Sequence, residues 1–199
     1  MQTRSDSYNF FASLLLTLPD KDFVRKIRGL ALPDDGVPAL LKKYIEETKN
    51  LSDEEVLQEI AVDRTYLLRG LTENGPRPPY ESLYLRVSPS ETIGGVNVFY
   101  ANNNYAVSPD IHEPGDYIGV ELSFMKELCL LEASSDGELK SGYLSRQKEF
   151  YEKHLGRWIK DWAREIITYA KTDFYRAIGH MLKDFIAEEE QVLEMMMKI

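Results

Sequence analysis

The chain has one cysteine, Cys129, among its 199 residues. A lone thiol excludes an intramolecular disulfide and any cysteine-built zinc or iron–sulfur centre within one chain. Histidine is scarce too: His112, His154 and His180 stand far apart with no ligand-like spacing, so no metal is expected. The phosphate-cradling P-loop, the Gly-rich dinucleotide fingerprint, the nucleophile-elbow serine and the paired-His zinc motif are all missing. Gly94-Gly95 is the sole glycine doublet, and no helix-opening Lys or Ser/Thr pattern follows it. No apolar run approaches the length that a bilayer span needs, so no stable membrane insertion is expected. Basic residues are in deficit, 24 Lys and Arg against 33 Asp and Glu, for a formal charge of −9. That balance disfavours nucleic acid, whose phosphates require clustered Lys and Arg, and suits a basic partner instead.

What is present is ample material for a core, at 43% hydrophobic residues, patterned almost throughout at helical spacing. In MQTRSDSYNFFASLLLTLPD, Asp6 and Asn9 interrupt the apolar run and no small-residue cleavage site follows. Ser7 to Leu18 therefore reads as an amphipathic core helix and not as a signal peptide, with the cytoplasm as the expected location. A helix is expected over VPALLKKYIEETKN. Another begins at Ser52, with Glu55 completing a capping box, and ends near Gly70 or Gly75-Pro76. Four prolines, Pro76, Pro78, Pro79 and Pro89, then impose a long loop between N-terminal and C-terminal helix groups. Further helices are expected near Glu91 to Asn103, from Pro114 onward, and from about Leu139 to Leu155. GRWIKDWAREIITYAKTDFYRAIGHMLKDFIAEEE reads as two helices broken at Lys171 to Asp173, with Thr172 or Asp173 capping the second. The fold class is all-α: one domain, residues 1–199, forming a multi-helix bundle.

Within EPGDYIGVELSFMKELC, Tyr117, Phe124, Met125, Leu128 and Leu131 share one side of a helical wheel, and Ile118, Leu122 and Cys129 extend the arc. Glu121 falls near its centre. An isolated buried carboxylate is costly or takes up a proton, so a partner or a wet groove must meet it. Around it the sequence gathers aromatic and charged residues: Arg64, Tyr66 and Arg69 at a helix end, Tyr80, Glu81 and Tyr84 in the loop, and Asp116 and Tyr117 beside Pro114. Tyr80, Glu81, Tyr84, Asp116 and Tyr117 suit a peptide-binding groove, with tyrosines as rigid contact area and carboxylates meeting basic side chains. The plain alternative for Asp116, if Glu113 caps its helix, is to satisfy N-terminal amides and the helix dipole.

Four ordered stretches, YLLRG, PPYESLYL, EPGDYIGVELSFM and HLGRWIKDW followed by TDFYRAI, resemble the TorD/DmsD-type redox-enzyme maturation proteins, over Tyr66 to about Phe185. The family's Asp-His pair stands here as Asp116-Tyr117, so a site in this chain works without an imidazole. The resemblance implies a cytosolic chaperone with no chemistry of its own. Its client would be a molybdopterin oxidoreductase catalytic subunit of the dimethyl sulfoxide reductase class. The chaperone would bind that client's leader peptide or its apo form during cofactor insertion, before twin-arginine export. The resemblance also implies a central Pro114 helix whose N-terminal end lines the groove, a monomer or domain-swapped dimer, and no cofactor beyond weak guanine nucleotide binding. Glu121 would then be held internally by Arg64 or Arg69, or face a client Arg. Two rivals stay open: a nucleotide-binding enzyme, and a helical adaptor or scaffold using the Trp158/Trp162 helix, although an i, i+4 Trp pair is an ordinary core stripe.

Overall fold

The structure, a computed structural model, describes residues 3–196. Its regular elements are α1 (Arg4–Leu16), α2 (Lys21–Arg28), α3 (Pro38–Glu47), α4 (Asp53–Arg69), α5 (Glu81–Leu85), α6 (Pro89–Asn102), α7 (Ile118–Ala133), α8 (Gly137–Lys153), a 3₁₀ turn (Leu155–Arg157), α9 (Ile159–Tyr169) and α10 (Asp173–Met196). No strand occurs among the described residues, and the fold is all-α as the periodicity predicts. One antiparallel bridge, between Tyr80 and Tyr117, is the sole extended pairing among them.

The chain sorts into two compact units. The first takes the segment up to Leu16, Pro79–Lys160, and the chain from Phe185 onward; the second takes Thr17–Pro78 and Asp161–Asp184. One crossing, at Pro78-Pro79, does fall in the Pro-rich segment. The expected division into N-terminal and C-terminal helix groups does not follow, because α1 belongs with α5 to α8 while most of α9 belongs with α2 to α4.

In the second unit, helix ends carry local caps, among them those read from the sequence at Ser52 and Gly70. Asp20 accepts from Phe23 N at 2.7 Å, and Ser52 and Glu55 form the reciprocal capping box. Gly70 closes α4 at φ 60°, with the Pro78 ring packed so near that an added Cβ would lie 2.7 Å from it. Phe174 is buried between the rings of Phe23 and Tyr44, at centroid distances of 5.8 and 5.9 Å. Asp63, in the middle of α4, is buried and does the work of a cap for another helix. It accepts from Lys171 N, from Thr172 N at 2.8 Å and from Thr172 Oγ1 at 2.7 Å, while Thr172 Oγ1 in turn accepts from Tyr175 N. The break at Lys171 to Asp173 is thus capped by Thr172, and Thr172 is held by Asp63.

In the first unit, α7 packs against α1, α8 and the 3₁₀ turn. Every residue from Gly115 to Leu122 is buried, so this segment has no solvent side. Gly119 makes that closeness feasible: a Cβ there would sit 2.8 Å from Leu16 Cγ. Arg4 joins four helices. Its Nε donates to Glu189 at 2.8 Å, Nη1 to Glu132 at 3.1 Å and Nη2 to Gln147 at 2.6 Å, while the Tyr8 hydroxyl donates to Glu189 at 3.0 Å. Cys129 is buried here beside Gln147, its thiol pushed by burial up to about 12. Trp158 is buried here, whereas Trp162, also buried, belongs to the second unit.

Two departures from the sequence reading bear on the site. The Pro-rich segment contains a short helix, α5. The helix expected to open at Pro114 opens at Ile118 instead, because Tyr117 is extended at φ −77°, ψ 134° and pairs with Tyr80. Pro114 heads a turn that Tyr117 N closes by donating to Pro114 O at 3.0 Å.

Replacing Asp63 with Ala takes the acceptor from the buried Thr172 N and hydroxyl and from the partly buried Lys171 N, and should lower stability by about 1–3 kcal/mol. Urea unfolding of Asp63→Ala beside the parent measures it; an unchanged midpoint and slope would refute the cross-helix cap.

Candidate functional site

The site forms where two short backbone stretches lie side by side. Glu81 N donates to Asp116 O at 2.9 Å and Ile118 N donates to Pro79 O at 3.0 Å. This clasp brings all five residues of the expected groove together. The Tyr80 and Tyr117 rings meet at 5.4 Å, and Tyr84 lies tilted over Trp158 at 5.2 Å. Asp116 Oδ2 accepts from Ser82 N at 3.3 Å and from Ser82 Oγ at 2.7 Å, so it caps α5 and not its own helix. The cap expected within the Pro114 segment is thereby corrected.

Exposure divides the five. Glu81, Asp116 and Tyr117 are each no more than 2% exposed, whereas Tyr80 and Tyr84 are half-buried. Tyr117 turns its hydroxyl inward, to Leu15 O at 3.0 Å. Tyr80 directs its own to Glu113 Oε2 at 2.8 Å. Beside them Leu83 is 43% exposed. The outer surface of the cluster is therefore aromatic and apolar, and its carboxylates stand behind it.

Glu121 is fully buried, and the arginine expected to meet it is not what it meets. Arg64 and Arg69 are α4 residues of the second unit. Glu121 Oε2 accepts from Trp158 Nε1 at 3.3 Å, and Oε1 has no donor among the described residues. Burial, with the Glu81 charge next, raises its pKa well above the ordinary carboxylate value; the indole hydrogen bond opposes the shift and the Asp116 charge adds to it. Glu121 is accordingly held neutral. The sequence signal for this partner was available in Trp158: a buried indole N–H needs an acceptor just as a buried carboxyl needs a donor.

Glu81 has a partner that sequence reasoning did not supply. Its Oε2 lies 3.1 Å and its Oε1 3.2 Å from His154 Nδ1, across 73 positions of chain. His154 therefore ties the end of α8 to the start of α5, and the site expected to lack an imidazole holds one supplied from elsewhere in the chain. Tyr100 completes the enclosure by donating its buried hydroxyl to Gly115 O at 2.9 Å. Among the described residues no three His, Cys, Asp or Glu side chains are grouped to hold a metal ion. No helix among them is long and apolar enough to cross a membrane.

Residues 32–164 match the family described as Nitrate reductase delta subunit, and the chain belongs to that family. Among its relatives is a protein of Colwellia psychrerythraea named Chaperone protein TorD, 22% identical, with the alignment covering 96% of this chain and 92% of the relative. Proteins of the same name from Photobacterium profundum and Psychrobacter sp. are each 26% identical, over 92% and 78% of this chain and 91% and 72% of their own lengths. The TorD-type maturation family indicated by the four motifs is thus shown. The designation of these relatives as chaperones agrees with a chain that is not an enzyme.

The raised pKa of Glu121 carries a cost that depends on pH. The unfolded chain releases this proton above about pH 4, whereas the folded chain retains it, so stability falls as pH rises from there. Glu121→Gln mimics the neutral form and keeps an acceptor for Trp158. It should raise stability at neutral pH by about 1 kcal/mol or more and lose that advantage below about pH 4. Denaturant titrations across this range measure it; equal losses at every pH would show that Glu121 is buried as the anion.

Proposed function

We propose that the chain is a maturation chaperone for a molybdopterin oxidoreductase of the dimethyl sulfoxide reductase class. It would hold the client's leader peptide, or its apo form, until the cofactor is inserted and before export. The observation that carries this reading is similarity over nearly the whole length to proteins named Chaperone protein TorD. The site supports it in kind. Tyr80 and Tyr84 offer half-buried rings next to exposed Leu83, which suits the apolar part of a leader, and Glu113 lies beside Tyr80 for a basic residue.

Roles divide as burial divides them. Tyr80 and Tyr84 contact the peptide. Glu81, Asp116 and Tyr117 hold the clasp that presents those rings, and Glu121 sits behind it on Trp158. The mechanism is binding and delay, without turnover. A well-packed tyrosine contributes about 2 kcal/mol or more to such an interface, against roughly 0.2–1 kcal/mol for a charge pair at a wet rim.

Titrating the chain with the leader peptide of a molybdoenzyme encoded beside its gene tests the reading. Tyr84→Ala should weaken binding at least about tenfold while the helical circular dichroism stays unchanged. Asp116→Asn, buried as it is, should leave the salt dependence of association unaltered. Parent-like affinity in both Tyr80→Ala and Tyr84→Ala would place the leader elsewhere or remove it as the ligand.

A further inference from the structure

A chain of contacts runs from the outer face of the clasp to its core. Tyr84 lies over Trp158, whose indole donates to Glu121 Oε2 at 3.3 Å. Glu121 Oε1 is buried without a donor, and the group in hydrogen-bonding contact with this side chain is a second carboxylate, Glu81. Two carboxyl groups bond to each other only when one holds a proton, so Glu121 Oε1 donates and Glu81 accepts. Glu81 in turn lies 3.1 and 3.2 Å from His154 Nδ1. We propose that Glu121, Glu81 and His154 form a proton-operated latch: with protons on Glu121 and on the imidazole, Glu81 is held and Tyr84 rests on Trp158, and loss of those protons frees Tyr84 and weakens its grip on a ligand. The latch rests on the leader-binding reading of the clasp and adds regulation to it.

Both protons act in one direction. An imidazolium gives Glu81 a charge-assisted bond that a neutral ring does not. An ionised Glu121 takes away a donor and sets a second anion against Glu81 where water is excluded. Glu81 opens α5, a helix of five residues that also carries Tyr84, so a shift of one moves the other. The surrounding groups do not absorb the added charge. Asp116, ahead of α7, places a further negative charge by Glu121, and its own Oδ1 is buried without a donor. The Tyr100 hydroxyl on α6 is donated to Gly115 O, and that of Tyr117 to Leu15 O. On the 3₁₀ turn, Arg157 is exposed and donates to Lys153 O, and Lys153 pairs with Glu149.

The probe is a rhodamine-labelled, N-acetylated leader peptide with arginine as its sole titratable side chain, followed by anisotropy. Its affinity for the parent should fall at least about tenfold between pH 6 and pH 9, since each linked proton contributes up to about one decade per pH unit. Glu121→Gln keeps a donor for Glu81 and an acceptor for Trp158, and His154→Asn keeps a donor near the place of Nδ1; neither new side chain titrates. Each variant should flatten the profile, and the double variant should hold its affinity within about twofold over the range. In peptide-free protein, the nuclear magnetic resonance signals of the Trp158 indole N–H and the Tyr84 ring should shift with pH in the parent and stay fixed in the double variant. If the double variant does not fold, the two single variants carry the same comparison. A flat profile in the parent, a parent-like slope in both single variants, or a Tyr84 ring signal that stays fixed while the indole signal moves would overturn the latch. A peptide that binds at no pH while both signals shift would refute the leader-binding reading and leave the latch standing.

Discussion

The first unit depends on placing a carboxyl group, Glu121, in its interior without paying the full penalty of a buried charge. The protein meets this constraint by keeping the group protonated and giving it the Trp158 indole as a donor. Neutral, it behaves as a compact polar core residue; ionised, it would repel Glu81 and Asp116 in a setting of low polarity. The neighbouring carboxylates are relieved differently. Glu81 rests on His154 and Asp116 on the backbone and hydroxyl of Ser82. Three acids are close together, and each has its own remedy.

These remedies build the frame of the candidate site. Because Asp116 caps α5 and Glu81 meets His154, the short helix is fixed at its start to two separate parts of the unit. Tyr84, one turn on, is consequently set against Trp158. The rings that face outward owe their position to groups that never meet solvent. A contact surface whose supports are buried and hydrogen-bonded changes little on binding, which reduces the ordering cost of capturing an extended ligand.

Much of this was legible in the sequence. The all-α class, the capping box at Ser52 and Glu55, the glycine stop at Gly70 and the break at Thr172 are local signals, and local signals survive folding. So is the gathering of Tyr80, Glu81, Tyr84, Asp116 and Tyr117, which the ordered motifs brought into view. What was not legible is long-range pairing. The hydrophobic wheel marked Glu121 as anomalous but could not choose its partner, and charge complementarity favoured Arg64 or Arg69 over an indole that carries no charge. Helix periodicity likewise suggested an opening at Pro114, because nothing local reveals that Tyr117 is claimed by Tyr80. Burial of Asp116 follows from that same claim and turns an apparent surface acid into a cap for another element.

Arg4 reaches Gln147 in α8 and Glu189, 185 positions along the chain. On a ribosome the first helix is made many seconds before its partners, at roughly 5–20 residues per second. The segment from Gly115 to Leu122 waits as well, since it has no exposed face and its indole donor comes 37 positions after Glu121. The first unit therefore cannot close around a growing chain. A transcript cut short before Glu189 would yield a product in which Arg4 keeps Glu132 and Gln147 but its Nε and the buried Tyr8 hydroxyl have lost their shared acceptor, so the last helix sets when the first can settle.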